Sequence, residues 1–312
     1  MAAGLASCGT SGGSQASDTA PPSEAATSAP VTSTVSSQTI TTTPDTITTI
    51  ATPSTTTVSA STTSRSDAAN GDTAGSSTTT TTVAVRPLRI LVTNDDGIGA
   101  PGIDVLVDAL GELPDVDVLV VAPAVNQSGT SDARSDGDVV GAPAGTASGL
   151  PGTAVDGTPA DAVTYAFDEL DLAPDVVVSG VNTGQNIGPF VELSGTVGAA
   201  RTGARHGVPA VAVSAGLDGG GYRSAAEYVI DFVAAHRGGD GSLDLDVSVT
   251  SFNVPDCSAG GSVRELVAVP VAVEFPADVD PFAADCTSTE VDPADDHAAL
   301  AMGFASMSTL DY

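Results

Sequence analysis

Short, continuous apolar runs alternate with amphipathic segments after residue 86. The continuous runs are typical of buried strands, and they cover residues 89–93, 116–122, 175–179, 209–214 and 247–253. The segments between them show one of two helix signals: apolar residues that recur every three or four positions, or a cap residue followed by small residues. These signals predict helices over 101–113, 158–169, 194–206 and 222–236. Strands that alternate with helices predict an α/β fold with a parallel sheet.

The pattern is less regular in two places. Residues 132–157 are rich in Gly, Asp and Ala and predict no element. After residue 262, the stretches 263–275 and 304–310 predict strands with no helix between them, which we interpret as a C-terminal β arm or hairpin. We therefore predict a three-layer, mostly parallel, doubly wound (Rossmann-like) sheet with a C-terminal β arm. Such an appendage favours a homo-oligomer, with a dimer as the expected state.

The first 85 residues differ from the rest of the chain. Residues 9–85 are dominated by Ser, Thr, Ala and Pro, which cannot bury enough apolar surface to offset the entropy of ordering, so we predict a disordered tether. Leu5-Ala-Ser-Cys8-Gly9 matches the lipobox of bacterial lipoproteins, in which the Cys is lipidated. Only four residues precede this box, so we interpret residues 1–8 as the remnant of a signal peptide whose start codon lies further upstream. The other interpretation is a chance match.

These features predict three parts: residues 1–8, the tether 9–85 and a folded domain 86–312. They also predict an extracytoplasmic location, with a lipid anchor through Cys8; the alternative is a cytoplasmic protein. If the protein is exported, a disulfide between Cys257 and Cys286 is expected. The alternative is a pair of free thiols.

The charge of the chain excludes one class of partner. The formal net charge is −30, and all 9 basic residues are Arg, with no basic cluster. We therefore expect no binding to nucleic-acid polymers. A phosphorylated substrate would be repelled at long range, so it would need local positive charge from a metal or an Arg.

Polar residues gather where the predicted strands end. Because the carboxyl ends of parallel strands meet at one edge of the sheet, these side chains are expected to lie together. Their oxygens suit Mg²⁺, Mn²⁺ or Ca²⁺, and the start of the helix at Ser194 suits a phosphate. A metal beside an anion site is the equipment for phosphomonoester hydrolysis. The residues are Asn94, Asp95, Asp96, Asn126, Ser128, Asn182, Asn186 and Ser194.

Simpler interpretations exist for several of these residues. Gly97-Ile-Gly-Ala-Pro-Gly102 is formally a dinucleotide-binding G-x-G-x-x-G, but two neighbouring aspartates would repel a pyrophosphate. The Asp pair alone could cap a helix, and Asn182 and Asn186 could be turn residues. We expect His206 to cap its helix, His236 and His297 to lie on the surface, and Arg201 and Arg205 to pair with acids or line a pocket rim.

Ordered sequence blocks carry a resemblance to a known family. The chain resembles the SurE family, the survival proteins that are metal-dependent nucleoside 5′/3′-monophosphate phosphatases. The matching blocks are Arg89-Ile-Leu-Val-Thr-Asn-Asp-Asp-Gly-Ile, Ala100-Pro-Gly-Ile, Val121-Ala-Pro, Asn126-Gln-Ser-Gly, Gly157-Thr-Pro-Ala-Asp, Pro174-Asp-Val-Val-Val-Ser-Gly-Val-Asn-Thr-Gly-Gln-Asn, Ser194-Gly-Thr-Val-Gly-Ala-Ala and Asn253-Val-Pro, with Gly303-Phe-Ala-Ser-Met-Ser-Thr-Leu as a closing strand.

The resemblance implies a site and an activity. It implies one Mg²⁺ or Mn²⁺ per subunit, and hydrolysis of nucleoside monophosphates or similar small phosphomonoesters. Asp95 and Asp96 would be the catalytic residues, with Asp96 as the base that orients a water. The implied metal ligands are Asp95, Asp96, Ser128 and Asn182, and the implied phosphate pocket is formed by Asn94, Gly184, Ser194, Gly195 and Thr196.

The chain departs from the family pattern near this site. Gly99 stands where the family usually has His, and Val125 and Gln127 flank Asn126 in a loop that usually carries Arg. Loss of cationic side chains predicts weaker phosphate binding or a different substrate choice. The alternative function is therefore a non-catalytic surface protein that binds a metal or phosphate with the same fold.

Overall fold

The computed structural model describes residues 86–217 and 220–312, so the lipobox and tether predictions lie outside the described residues. Nine strands form one sheet in the order β3-β4-β2-β1-β5-β6-β7-β9-β8. The strands are β1 (Leu88–Thr93), β2 (Val116–Pro123), β3 (Val140–Gly145), β4 (Pro151–Asp156), β5 (Val176–Thr183), β6 (Ala210–Ala215), β7 (Val249–Asn253), β8 (Arg264–Ala268) and β9 (Phe304–Leu310).

Helices cover both faces of this sheet. They are α1 (Pro101–Gly111), α2 (Pro159–Asp168), α3 (Gly195–Arg205), α4 (Tyr222–Ala235) and α5 (Asp296–Ala301), with a 3₁₀ helix at Gly188–Glu192. None of the helices in the described ranges has the length and apolarity needed to span a bilayer.

The side chains of β1 show how the layers form. Ile90 and Val92 pack in the core beneath α1 and α4, whereas Leu91 packs in the core beneath α2 and α3. Because successive side chains of a strand point to opposite faces, a continuous apolar run supplies both cores. Pairings within β2-β1-β5-β6-β7 are parallel, so the predicted three-layer, mostly parallel α/β fold is confirmed.

Two regions differ from the sequence-based expectation. Residues 132–157 contain an antiparallel hairpin, β3 and β4, and β4 extends the sheet beside β2. The Gly, Ala and Pro of these strands carry little β propensity, and Pro143 is tolerated because β3 is an edge strand.

At the other edge, the two predicted C-terminal strands are present, but the helix α5 lies between them. Strand β9 is antiparallel to β7, and β8 is parallel to β9, so the two strands do not form a hairpin. His297, expected on the surface, lies on α5 and is only 7% exposed because its ring packs 5.2 Å from that of Phe275.

The remaining cap and cysteine predictions are also resolved. His206 and His236 are the C-cap residues of α3 and α4; His236 is half-buried rather than freely exposed. Cys257 and Cys286 form a disulfide.

Gly102 allows α1 to pack on β5, since a Cβ there would collide with the carbonyl of Val181. This close packing explains the glycine without a bound dinucleotide.

Candidate active site

The site begins in the turn after β1. Asn94 is buried, and its amide closes the turn by donating from Nδ2 to the carbonyl of Gly97 (2.9 Å) and accepting from the Gly97 N–H (3.2 Å). Gly97 has φ +101°, a conformation that glycine adopts without strain. The side chain of Asn94 therefore holds the turn that presents the next two residues.

Asp95 is the most buried carboxylate of the site, with 2% of the residue exposed. Its Oδ1 accepts a hydrogen bond from the Thr196 hydroxyl at 2.7 Å. Burial raises the pKa of the Asp95 carboxyl to about 6; the hydrogen bond from Thr196 opposes this shift, and the charge of Asp96 adds to it. No ion pair with Asp95 forms among the described residues. A buried anion without a counter-charge is costly, and a bound cation would relieve that cost.

Asp96 is held by the two neighbouring strand ends. Its Oδ1 accepts from Nδ2 of Asn126 (2.9 Å), and its Oδ2 accepts from the backbone N–H (3.1 Å) and hydroxyl (3.3 Å) of Thr183. The amide oxygen of the same Asn126 accepts from the Ser128 N–H at 2.9 Å. Asn126 thus links the loop after β2 to the turn after β1.

Asn182 lies inside β5 rather than after it. The strand runs on to Thr183, with a register shift between Ser179 and Asn182. The Asn182 Nδ2 donates to the carbonyl of Gly184 at 2.7 Å, which leaves its Oδ1 available as a ligand. The sequence placed this residue correctly at the sheet edge but ended the strand too early.

Helix α3 begins directly beside Asp95. Ser194 is its N-cap, and the Ser194 Oγ accepts from the Val197 N–H at 3.1 Å, as expected for this residue type. Gly195 allows the close approach, because a Cβ at that position would lie 2.8 Å from the Cβ of Asp95 and 2.9 Å from its Oδ2. A buried carboxylate is therefore pressed against the positive end of a helix.

A cavity of about 230 Å³ joins part of the predicted set. It brings together Asp95, Ser128, Asn182, Gly184 and Ser194. The other predicted residues do not line it: Asn94 holds the turn, Asp96 faces Asn126 and Thr183, Thr196 bonds Asp95, and Gly195 packs against Asp95.

A larger cavity, about 670 Å³, lies elsewhere, and Arg201 and Arg205 line it. Those arginines are engaged as expected, with Arg201 2.7 Å from Glu192 and Arg205 2.6 Å from Asp132. That cavity holds none of the predicted site residues, so the chemistry favours the smaller one as the functional site.

The donor set of the smaller cavity fits a hard divalent cation. No group of three or more His, Cys, Asp or Glu that could hold a metal occurs in residues 86–217 and 220–312. Of the predicted ligands, the carboxylate of Asp95, the hydroxyl of Ser128 and the amide of Asn182 line the cavity, whereas Asp96 does not. Such oxygen ligands suit Mg²⁺ or Mn²⁺ better than Zn²⁺.

Sequence reasoning missed several residues that line this cavity, among them Gln185, Phe190 and Phe282. Phe190 and Phe282 come from segments 92 positions apart, and no local pattern relates them. The only hint in the sequence is composition: the whole chain has just 7 Phe and 4 Tyr, so each aromatic residue is a candidate for a special role.

Comparison with known proteins identifies the family of the chain. A family model described as "Survival protein SurE" matches residues 90–270, more than half of the chain. The chain belongs to the SurE family. The family assignment confirms the resemblance drawn from the sequence blocks.

The chain aligns with only part of the length of its SurE relatives. The 5'-nucleotidase SurE of Methanopyrus kandleri is 45% identical over 128 residues, which are 41% of this chain and 48% of that protein. The 5'-nucleotidase SurE of Sorangium cellulosum is 42% identical over 176 residues, 55% of this chain and 66% of that protein. The chain thus spans about half to two thirds of the length of these relatives.

A solved SurE structure agrees with the fold. The SurE protein from Aquifex aeolicus superposes with a TM-score of 0.55 at 26% identity, over 71% of this chain and 92% of that chain.

Proposed function

We propose that this SurE-family protein is a divalent-metal-dependent phosphomonoesterase that hydrolyses nucleoside 5′- or 3′-monophosphates to nucleoside and phosphate. One observation carries the proposal: a buried carboxylate without a counter-charge, Asp95, shares a small cavity with Ser128, Asn182 and the N-cap Ser194. The names of the relatives, 5'-nucleotidase SurE, support the same reaction class.

We infer that Asp95, Asp96, Ser128 and Asn182 hold one Mg²⁺ or Mn²⁺. Such a cation polarises a phosphoryl oxygen and lowers the pKa of a bound water. Thr196 orients Asp95 through its hydroxyl, and Asn126 and Thr183 orient Asp96. These bonds fix the two carboxylates before substrate arrives, which lowers the cost of organising the site.

The phosphate would lie against the start of α3. The Ser194 Oγ already accepts the Val197 N–H, so its own hydrogen remains for a phosphate oxygen. Gly184 has φ +108° and no side chain, which keeps that wall of the cavity open. The base role predicted for Asp96 remains a prediction, because Asp96 does not line the cavity.

The test measures phosphate release and metal binding separately in the full chain. We expect AMP hydrolysis with Mg²⁺ or Mn²⁺, none with EDTA, and loss of both hydrolysis and calorimetric Mn²⁺ binding in Asp95→Ala. Asp108→Asn, an exposed carboxylate on α1, is the matched control and should retain both. Asp96→Asn should keep the fold and lose turnover; full turnover would remove its catalytic role.

One observation favours the second candidate, a non-catalytic protein that binds a metal or phosphate. None of the described residues lining the cavity is cationic, and Gly99 is exposed with open space around its Cα. Mn²⁺ binding without hydrolysis of any monophosphate would support this candidate and contradict the phosphatase proposal.

A further inference from the structure

An aromatic cluster closes one side of the candidate active site. The rings of Phe190 and Phe282 are stacked, with centroids 5.3 Å apart and an interplanar angle of 12°. Phe275 packs 4.9 Å from Phe190, and His297 packs 5.2 Å from Phe275. Three of the 7 Phe in the chain meet here.

Two of these rings belong to the wall of the cavity that holds Asp95 and Ser194. Phe190 and Phe282 both line it, and both are partly exposed. Leu193 and Leu217 complete an apolar rim, with 59% and 60% of each residue exposed. Apolar surface beside a polar cleft is typical of a ligand site.

The size of the cavity limits what fits inside it. Its volume of about 230 Å³ lies below the roughly 300–1,000 Å³ of most small-molecule sites. A phosphate and a sugar would fill it. Any larger planar group on the same ligand must therefore lie at the mouth, against the partly exposed rings.

Buried contacts fix the position of Phe190. Asp296, which is 1% exposed, accepts the N–H of Gly188 at Oδ2 (3.0 Å) and that of Ala272 at Oδ1 (2.8 Å). Gly188 begins the 3₁₀ helix that carries Phe190, and a Cβ there would lie 2.8 Å from the ring of Phe275. The ring is therefore held in place before a ligand binds, which reduces the entropy cost of binding.

One hydrogen-bond acceptor on the cavity wall lacks a donor among the described residues. Gln185 lines the cavity and is 3% exposed; its Nε2 donates to the carbonyl of Val254 at 2.9 Å, but its Oε1 has no hydrogen-bond partner among the described residues. A buried acceptor without a donor is uncommon. A hydroxyl or amino hydrogen of a bound nucleoside would satisfy it.

We propose that Phe190 and Phe282 form a stacking platform for the base of a nucleotide and so select nucleotides over other phosphomonoesters. The proposal deepens the proposed function and rests on the same cavity. Phe282 lies outside residues 90–270, the part of the chain that the family model matches.

Comparing the kinetics of a substrate that has a nucleobase with those of one that lacks it tests the platform. Phe282→Ala should raise KM for AMP about tenfold, because stacking on an aromatic ring contributes about that much to base binding. Its kcat for AMP, and its KM for ribose 5-phosphate, should stay within about twofold of the wild type. Phe282→Tyr, which keeps an aromatic ring, should have the wild-type KM for AMP. Phe282→Leu, which keeps only apolar packing, should show the raised KM.

A binding measurement separates the platform from catalysis. The chain has no Trp, so Phe282→Trp places the only Trp of the chain in the platform, where its fluorescence can be followed apart from that of Tyr. Adenosine should quench it, and ribose should not. If the protein hydrolyses no monophosphate but adenosine quenches this variant, the proposed function fails and the platform stands. An unchanged KM for AMP in Phe282→Ala, or equal quenching by ribose, overturns the platform.

Discussion

At the scale of the residue, the contact between Gly195 and Asp95 decides whether the site can form. Any side chain at position 195 would displace the carboxylate from the start of α3, because even a Cβ would lie 2.9 Å from the Asp95 Oδ2. Position and hydrogen bonding of a ligand commonly change metal affinity about 10–100-fold.

We therefore expect Gly195→Ala to lower Mn²⁺ affinity at least about tenfold and to lower AMP hydrolysis with it, while circular dichroism stays unchanged. Calorimetric titration measures the affinity. Gly111→Ala, at the end of α1 with open space around its Cα, is the matched control and should match the wild type. Wild-type Mn²⁺ affinity in Gly195→Ala would contradict the proposed ligand role of Asp95.

The sequence predicted the position of some residues of the site but not of others. Strand ends predict a common edge, and on that ground Asp95, Ser128 and Asn182 were expected together, as the cavity shows. The sequence could not show that the amide of Asn94 is used by its own turn. It could not place Phe282 either, since that contact depends on a long segment whose path no local pattern fixes.

At the scale of the element, helix α2 depends on one buried acid. Asp161 and Thr158 form a reciprocal capping box: the Thr158 Oγ1 accepts the Asp161 N–H (3.1 Å), and the Asp161 Oδ2 accepts the Thr158 N–H (3.0 Å). Oδ2 also accepts the N–H of Ser135 at 3.0 Å. Burial alone would raise the pKa of Asp161, but these hydrogen bonds lower it below its ordinary value of 3.8.

Asp161→Ala should lower the free energy of unfolding by about 1–2 kcal/mol at pH 7. Because the folded state lowers the pKa of this carboxyl, its charge stabilises the fold above pH 4 and loses that effect as the pH falls through the lowered pKa. Urea denaturation of variant and wild type should therefore converge at acid pH. Asp168→Ala, exposed on the last turn of α2, should differ little from wild type at either pH.

Elements with strong periodicity or caps were predicted well. The five strands predicted between residues 89 and 253 and the helices α1 to α4 all occur near their predicted bounds, and the cap at Thr158 is confirmed. Hairpin β3–β4 was missed because Gly141, Pro143 and Gly152 hide its strand pattern. Helix α5 was missed because its six residues are too few to show a helical period.

At the scale of the whole molecule, the disulfide and the charge affect the site from a distance. The bond between Cys257 and Cys286 closes a segment of 29 residues, which contains Phe275 and Phe282.

Replacing both cysteines by Ser should destabilise the protein by about 3 kcal/mol and weaken quenching of the Phe282→Trp variant by adenosine. Urea denaturation with and without dithiothreitol measures the first effect, and reduced wild type should match the double variant without reductant. Equal denaturation midpoints for oxidised and reduced wild type would count against a structural role for the bond.

The formal charge of −30 should repel a nucleotide dianion. Salt screens this repulsion over about 10 Å at 0.1 M, so the kcat/KM for AMP should rise with NaCl concentration between about 10 mM and 150 mM. Uncharged adenosine should quench the Phe282→Trp variant equally at both. A fall in kcat/KM would indicate a local cationic patch that attracts the substrate.

The strand order also constrains how the protein is made on the ribosome. β8 has no neighbour to pair with until β9 is synthesised, since β9 enters the sheet between β7 and β8. Strand β8 must therefore stay without a sheet neighbour during translation while β1 to β7 are already complete. In the nascent protein, the strands that carry the candidate metal ligands are therefore in place before the last edge of the sheet can form.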